Sequence, residues 1–167
     1  MMLRRPFRLR PVHAVAVVAA FVALGVLADH ALDGGLGGAG FERVRPGTDG
    51  MVRVAAGDLA PSQVRYYRFL NAGNQEVLFF VGRDRHGEIH VAFDASDTHA
   101  KLGRGFRHEG DWMVDNKCDS ATRLDRVNQG GRGCSPVPVP HRVEGAPGAE
   151  TVVVGENDML RGWRYFR

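Results

Sequence analysis

Three short runs of β-branched and aromatic residues, separated by two turn signals, commit this chain to a sheet. Val64-Arg65-Tyr66-Tyr67-Arg68-Phe69-Leu70 ends at Asn71-Ala72-Gly73-Asn74. Glu76-Val77-Leu78-Phe79-Phe80-Val81 ends at Arg83-Asp84-Arg85-His86-Gly87, and Glu88-Ile89-His90-Val91-Ala92-Phe93 alternates once more. Such residues suit a pleated, half-buried surface, and turns this short join antiparallel neighbours. Met51–Val54, Asp111–Val114, Thr151–Val154 and Gly162–Phe166 are further strand candidates. A short helix is expected to begin near Asp119 and run through Thr122-Arg123-Leu124-Asp125-Arg126-Val127. The pattern predicts a mainly β domain, with a small α+β fold as the variant. It is an antiparallel meander over residues 51–167, with Phe69, Leu78, Phe80, Ile89, Val91 and Phe93 in its core. About 115 residues suffice for such a core.

Ahead of the domain stands a different kind of sequence. Residues 1–10 carry Arg4, Arg5, Arg8 and Arg10, and residues 12–28 are almost wholly apolar, broken by His13 and Gly25. Seventeen residues at helical rise span about 25 Å, slightly under a hydrocarbon core of about 30 Å. Residues 1–32 therefore read as a basic leader with a transmembrane or signal-anchor helix. Two readings stand: a cleaved signal peptide cut after Ala28, or an uncleaved anchor with its arginines in the cytoplasm. Both export the remainder of the chain, so the expected place is the outer face of the inner membrane, with the domain in the periplasm, or free there after cleavage. Arg4-Arg5-Pro6-Phe7 is also similar to a twin-arginine export signal, without the polar residue that usually precedes the pair. Residues 33–50 open with Asp33-Gly34-Gly35-Leu36-Gly37-Gly38-Ala39-Gly40 and read as a flexible linker.

Charge divides along the same boundary. The formal net charge is +3, yet residues 1–28 alone hold +4, and the remaining 18 Lys and Arg face 19 Asp and Glu. A nucleic-acid partner needs a clustered basic face on the folded part, so no nucleic-acid role is expected. No nucleophile elbow, phosphate loop or paired-carboxylate motif is present, and Gly130-Gly131-Arg132-Gly133 is no nucleotide fingerprint. The domain is not expected to be an enzyme. Asp94 and Asp97 flank a loop, where aspartates usually bond water or backbone.

The only cysteines are Cys118 and Cys134, 16 positions apart. In an oxidising compartment such a pair forms a disulfide, worth about 3 kcal/mol for a loop of this size. A second reading places them in a metal site. Ser96 and His99 stand three apart, as do Asp115 and Cys118, a spacing that lets one tight loop aim two side chains at one ion. Two sulfurs, an imidazole and a carboxylate suit zinc, iron or copper better than magnesium or calcium. Met113 and His108 are soft additions if the metal is copper.

The order of these residues resembles the exported domain of FtrD-like membrane iron–sulfur proteins. The family pattern is A-F-D-A-C-x-x-C, then G-Y-x-x-x-G-x-x-M-x-C-x-x-C, then G-G-C-N-P-x-P. This chain has Ala92-Phe93-Asp94-Ala95-Ser96-Asp97-Thr98-His99. It continues Gly105-Phe106-Arg107-His108-Glu109-Gly110-Asp111-Trp112-Met113-Val114-Asp115-Asn116-Lys117-Cys118 and closes Arg132-Gly133-Cys134-Ser135-Pro136-Val137-Pro138. The resemblance covers about residues 51–167, together with the leader. It implies a membrane-anchored metal-binding or redox accessory protein beside an iron-uptake permease, with the permease or a redox protein as partner. It places Ser96, His99, Asp115, Cys118 and Cys134 on the ligand slots, three of them without sulfur. The cofactor expected is a metal ion (iron, copper or zinc) or a degenerate iron–sulfur site. The alternative is a non-metal domain, stapled by a Cys118–Cys134 disulfide, that binds a partner protein.

Overall fold

The computed structural model describes residues 40–98, 100–130 and 133–167. The leader, the first part of the linker and His99 lie outside them. Residues 41–167 form one compact unit. Among the described residues no helix is long and apolar enough to cross a membrane.

The three runs form the centre of a five-stranded sheet. They are β3 (Gln63–Leu70), β4 (Glu76–Arg83) and β5 (Ile89–Ser96), antiparallel and consecutive, as a meander requires. The register pairs Tyr67 with Phe79 and Phe79 with Phe93. The flanks differ from a simple meander. β1 (Glu42–Val44) joins β3 in parallel, and β9 (Pro136–Pro138) joins β5 antiparallel, giving the order β1-β3-β4-β5-β9. The sequence pattern assigns the residues of β1 to the linker. Three residues, two of them charged, carry no period of their own, and only the edge of β3 makes a strand of them.

A three-stranded sheet covers one face of the central one. It is built from β2 (Met51–Ala55), β10 (Arg142–Glu144) and β11 (Thr151–Gly155), in the order β10-β11-β2. Another, β6 (Phe106–Glu109), β7 (Trp112–Asp115) and β8 (Ala121–Arg123), covers the other face together with the 3-10 turn Leu124–Gln129. Two hydrophobic clusters result. Val52, Tyr67, Phe69, Phe79, Val91, Phe93 and Val154 fill the first, and Tyr66, Phe80, Ala92, Phe106, Met113 and Leu124 the second. Alternate residues of one strand thus enter different clusters, as period-2 geometry demands. Of the expected core, Phe69, Phe80, Val91 and Phe93 are buried, whereas Leu78 and Ile89 are half-buried.

Two expected elements change type. Gly162–Phe166 is not a strand: the chain forms helix α1 (Glu156–Gly162) and then a 3-10 turn, Trp163–Tyr165. The expected helix after Asp119 is instead β8 followed by the 3-10 turn. Both segments are aromatic or mixed and too short for periodicity to decide. Gly162 shows what packing decides. A Cβ there would lie 2.3 Å from the Phe93 ring, so only glycine lets α1 approach β5.

Gly162→Ala is expected to lower stability in chemical denaturation. Better helix propensity offers at most about 1 kcal/mol, and overpacking against a buried ring costs about 1–3 kcal/mol. An unchanged midpoint contradicts this packing.

Candidate functional site

The ends of β5, β7 and β9 converge, and the motif residues sit there. Ser96, the last residue of β5, pairs with Pro136 of β9, which brings Cys134, two residues earlier, to the same end of the sheet. Asp115 closes β7, and the turn directly after it carries Cys118.

Asp115 organises that turn and is buried. Its Oδ1 accepts the backbone N–H of Lys117 at 2.7 Å and of Cys118 at 3.1 Å. Its backbone carbonyl accepts the N–H of Asp119 at 3.0 Å. The Ser96 hydroxyl donates to Oδ2 at 3.3 Å. An aspartate that bonds the backbone two and three residues ahead fixes a tight turn, and here it aims Cys118. Cys118 is exposed, Cys134 half-buried, and a disulfide joins them. The donor atoms of Asp115, Cys118 and Cys134 lie within 4.8 Å of one another.

Of the expected ligands, the structure brings Ser96, Asp115, Cys118 and Cys134 together. His99 lies outside the described residues. Met113 is fully buried in the second hydrophobic cluster, and His108 reaches the Gly110 carbonyl at 2.6 Å. Both are thereby accounted for without a metal.

Beside Ser96 is a residue with a larger role than loop flanking suggests. Asp94 is buried and accepts the Phe106 N–H at 2.7 Å. Phe106 is held from its other side too, since Tyr66 donates its hydroxyl to the Phe106 carbonyl at 3.0 Å. Gly105, at φ +58°, lies against the Asp94 carboxylate so closely that a Cβ would fall 2.3 Å from Oδ2. Burial pushes the Asp94 carboxyl up to about 6, against the Phe106 N–H and helped by the nearby Asp115 charge. Asp94, Ser96, Gly105, Phe106 and Asp115 line a cavity of about 30 Å³, room for one water or two. The sequence signal for Asp94 is the pairing of Phe93-Asp94 with a glycine eleven residues on.

A family model described as "Membrane iron-sulfur containing protein FtrD-like" matches residues 59–166. The chain belongs to the FtrD-like family. No curated protein and no solved structure matches it. The match spans every residue of the convergent site.

An iron–sulfur cluster is held mainly by thiolates, usually four. This FtrD-like chain has two cysteines, and they are bonded to each other. Both carboxylate oxygens of Asp115 hold the local fold, and the Ser96 hydroxyl is turned to Asp115. The described residues do not fit a cluster.

The burial of Asp94 has a pH signature. Its carboxyl is raised in the fold above its unfolded value of 3.8. The stability it contributes is therefore complete below that value and lost as pH rises through about 6. The shift corresponds to about 3 kcal/mol. Asp94→Asn keeps the acceptor for Phe106 and cannot ionise. Urea denaturation of the two proteins should show the variant gaining on the wild type between about pH 4 and about pH 7. A constant difference across that range contradicts the assignment.

Proposed function

We propose that this FtrD-like protein is an exported, membrane-held accessory domain for metal handling, a binding module rather than an enzyme. Its metal site is controlled by the redox state of Cys118 and Cys134. The observation that carries the reading is the closeness of the Asp115, Cys118 and Cys134 donor atoms, within 4.8 Å of one another. One carboxylate and two thiolates suit a single soft or borderline ion, zinc, iron or copper.

In the disulfide form neither sulfur is a thiolate, and the site is closed to metal. A dithiol donor opens it. One thiolate of the donor attacks a sulfur of the Cys118–Cys134 bond, and the second resolves the mixed disulfide. The donor leaves as a disulfide and two thiols remain on the chain. Metal binding then displaces their protons. Exposure of Cys118 supports access by such a donor, since exposed disulfides are the labile ones. The basic, apolar leader and the family's description as a membrane protein support a place at the membrane facing the periplasm. The partner expected on this reading is a metal-transport permease or its redox protein.

A second reading is favoured by the engagement of both Asp115 oxygens in the local fold. In it the disulfide is a permanent staple, and the domain binds a partner protein without metal.

Metal content and free thiols, measured on one sample of the full chain before and after mild reduction, separate the two. The first reading expects no free thiol before reduction, and two thiols with one additional metal ion per chain, over the oxidised chain, afterwards. Asp115→Ala should then weaken binding about tenfold or more. A reduced chain that takes up no more metal than the oxidised chain overturns it and leaves the staple, whose loss should cost about 3 kcal/mol.

A further inference from the structure

A second group of donors stands apart from the cysteines, at the β4–β5 turn. Donor atoms of Asp84, Glu88 and His90 lie within 4.8 Å of one another. Asp84 and His90 are buried, and Glu88 is exposed. Asp84 Oδ1 is occupied by the backbone N–H groups of His86 at 2.8 Å and Glu88 at 2.9 Å, so Oδ2 is left to face His90 Nε2, 3.1 Å away.

The other ring nitrogen decides what that contact is. His90 Nδ1 lies 3.2 Å from Asn128 Oδ1. The orientation of this amide is set by the backbone. Asn128 Oδ1 accepts the Val91 N–H at 3.1 Å, and Asn128 Nδ2 donates to the Val91 carbonyl at 3.1 Å. A flipped amide would set donor against donor and acceptor against acceptor. Nδ1 therefore carries the hydrogen, and in neutral His90 the Nε2 lone pair faces a carboxylate oxygen. Two acceptors in buried contact need a cation between them.

A proton or a metal ion meets that need, and Glu88 separates the two. A proton shared by His90 and Asp84 leaves Glu88 uncoordinated, whereas an ion is held by it directly. A histidine whose second nitrogen donates to a fixed carbonyl is the usual arrangement around bound metal. Ligand atoms stand about 2.0–2.2 Å from zinc, so tetrahedral neighbours on one ion are about 3.3–3.6 Å apart. The 3.1 Å between Nε2 and Oδ2 would open by a few tenths of an ångström to admit one. Nearby guanidinium groups are engaged elsewhere: Arg85 with His86 Nε2 at 3.1 Å and Arg123 with Asp125 at 2.6 Å.

We propose that Asp84, Glu88 and His90 form a second metal site, for a first-row divalent ion of the zinc class, with Asn128 as the positioning residue that sets the His90 tautomer. The site needs no thiol, so it works while Cys118 and Cys134 are bonded, and it stands or falls independently of the cysteine site.

The full chain, kept oxidised and shown to have no free thiol, is titrated with Zn(II) against a chromophoric chelator. One ion per chain is expected. Glu88→Gln, on the surface and harmless to folding, should weaken binding about tenfold or more, His90→Gln about a hundredfold, and Asn128→Ala about 10–100-fold. Absence of zinc uptake by the oxidised chain overturns the proposal. So does a Glu88→Gln variant that binds as tightly as the wild type, since the pair then holds only a proton.

Discussion

β5 is buried on both faces, and most of the molecule is arranged to satisfy it. Val91, Phe93 and Ala95 enter one hydrophobic cluster. His90, Ala92, Asp94 and Ser96 alternate with them and face the layer of β6–β8 and the 3-10 turn, yet three of these four are polar. A buried polar group without a partner costs about 1–3 kcal/mol. Each has one: Asn128 and Asp84 for His90, the Phe106 N–H for Asp94, and Asp115 for Ser96. The covering layer is thus held in register by polar bonds, while hydrophobic packing supplies the bulk of its attachment.

The same stripe unites both proposed sites. One end of it, at Ser96, meets Asp115 and through it the turn that aims Cys118. The other end, at His90, meets Asp84 in the β4–β5 turn. Asp94 lies between them, its carboxyl pushed up by burial and its side sealed by Gly105. A side chain turned to hold the fold is poorly placed to serve as a cluster ligand.

Much of the sheet is readable from local pattern. β3, β4 and β5 announce themselves because β-branched and aromatic runs end in turn residues, and their register is set by short hairpins. β1 does not, since Glu42-Arg43-Val44 has no period and owes its form to the edge of β3. The aromatic stretch after Glu156–Gly162 has the composition of a strand but is not one. Val152, Val153 and Val154 already supply the last strand, and the aromatic residues beyond them pack from a helical backbone. In the site, motif spacing picks out Ser96, Asp115, Cys118 and Cys134. Nothing local in Asp84, Glu88, His90 and Asn128 marks them, because Asn128 meets His90 across 38 positions.

By itself the sequence determined the family, the mainly β character, the basic apolar leader and the motif residues Ser96, Asp115, Cys118 and Cys134, since these depend on residue type and short-range order. Only the tertiary structure decided which donors meet. The joining of Cys118 to Cys134, the capture of Asp115 by its own turn and the facing of His90 by Asp84 and Asn128 depend on distances across separate strands. Those distances arise when a strand buried on both faces finds a partner for each polar side chain it carries.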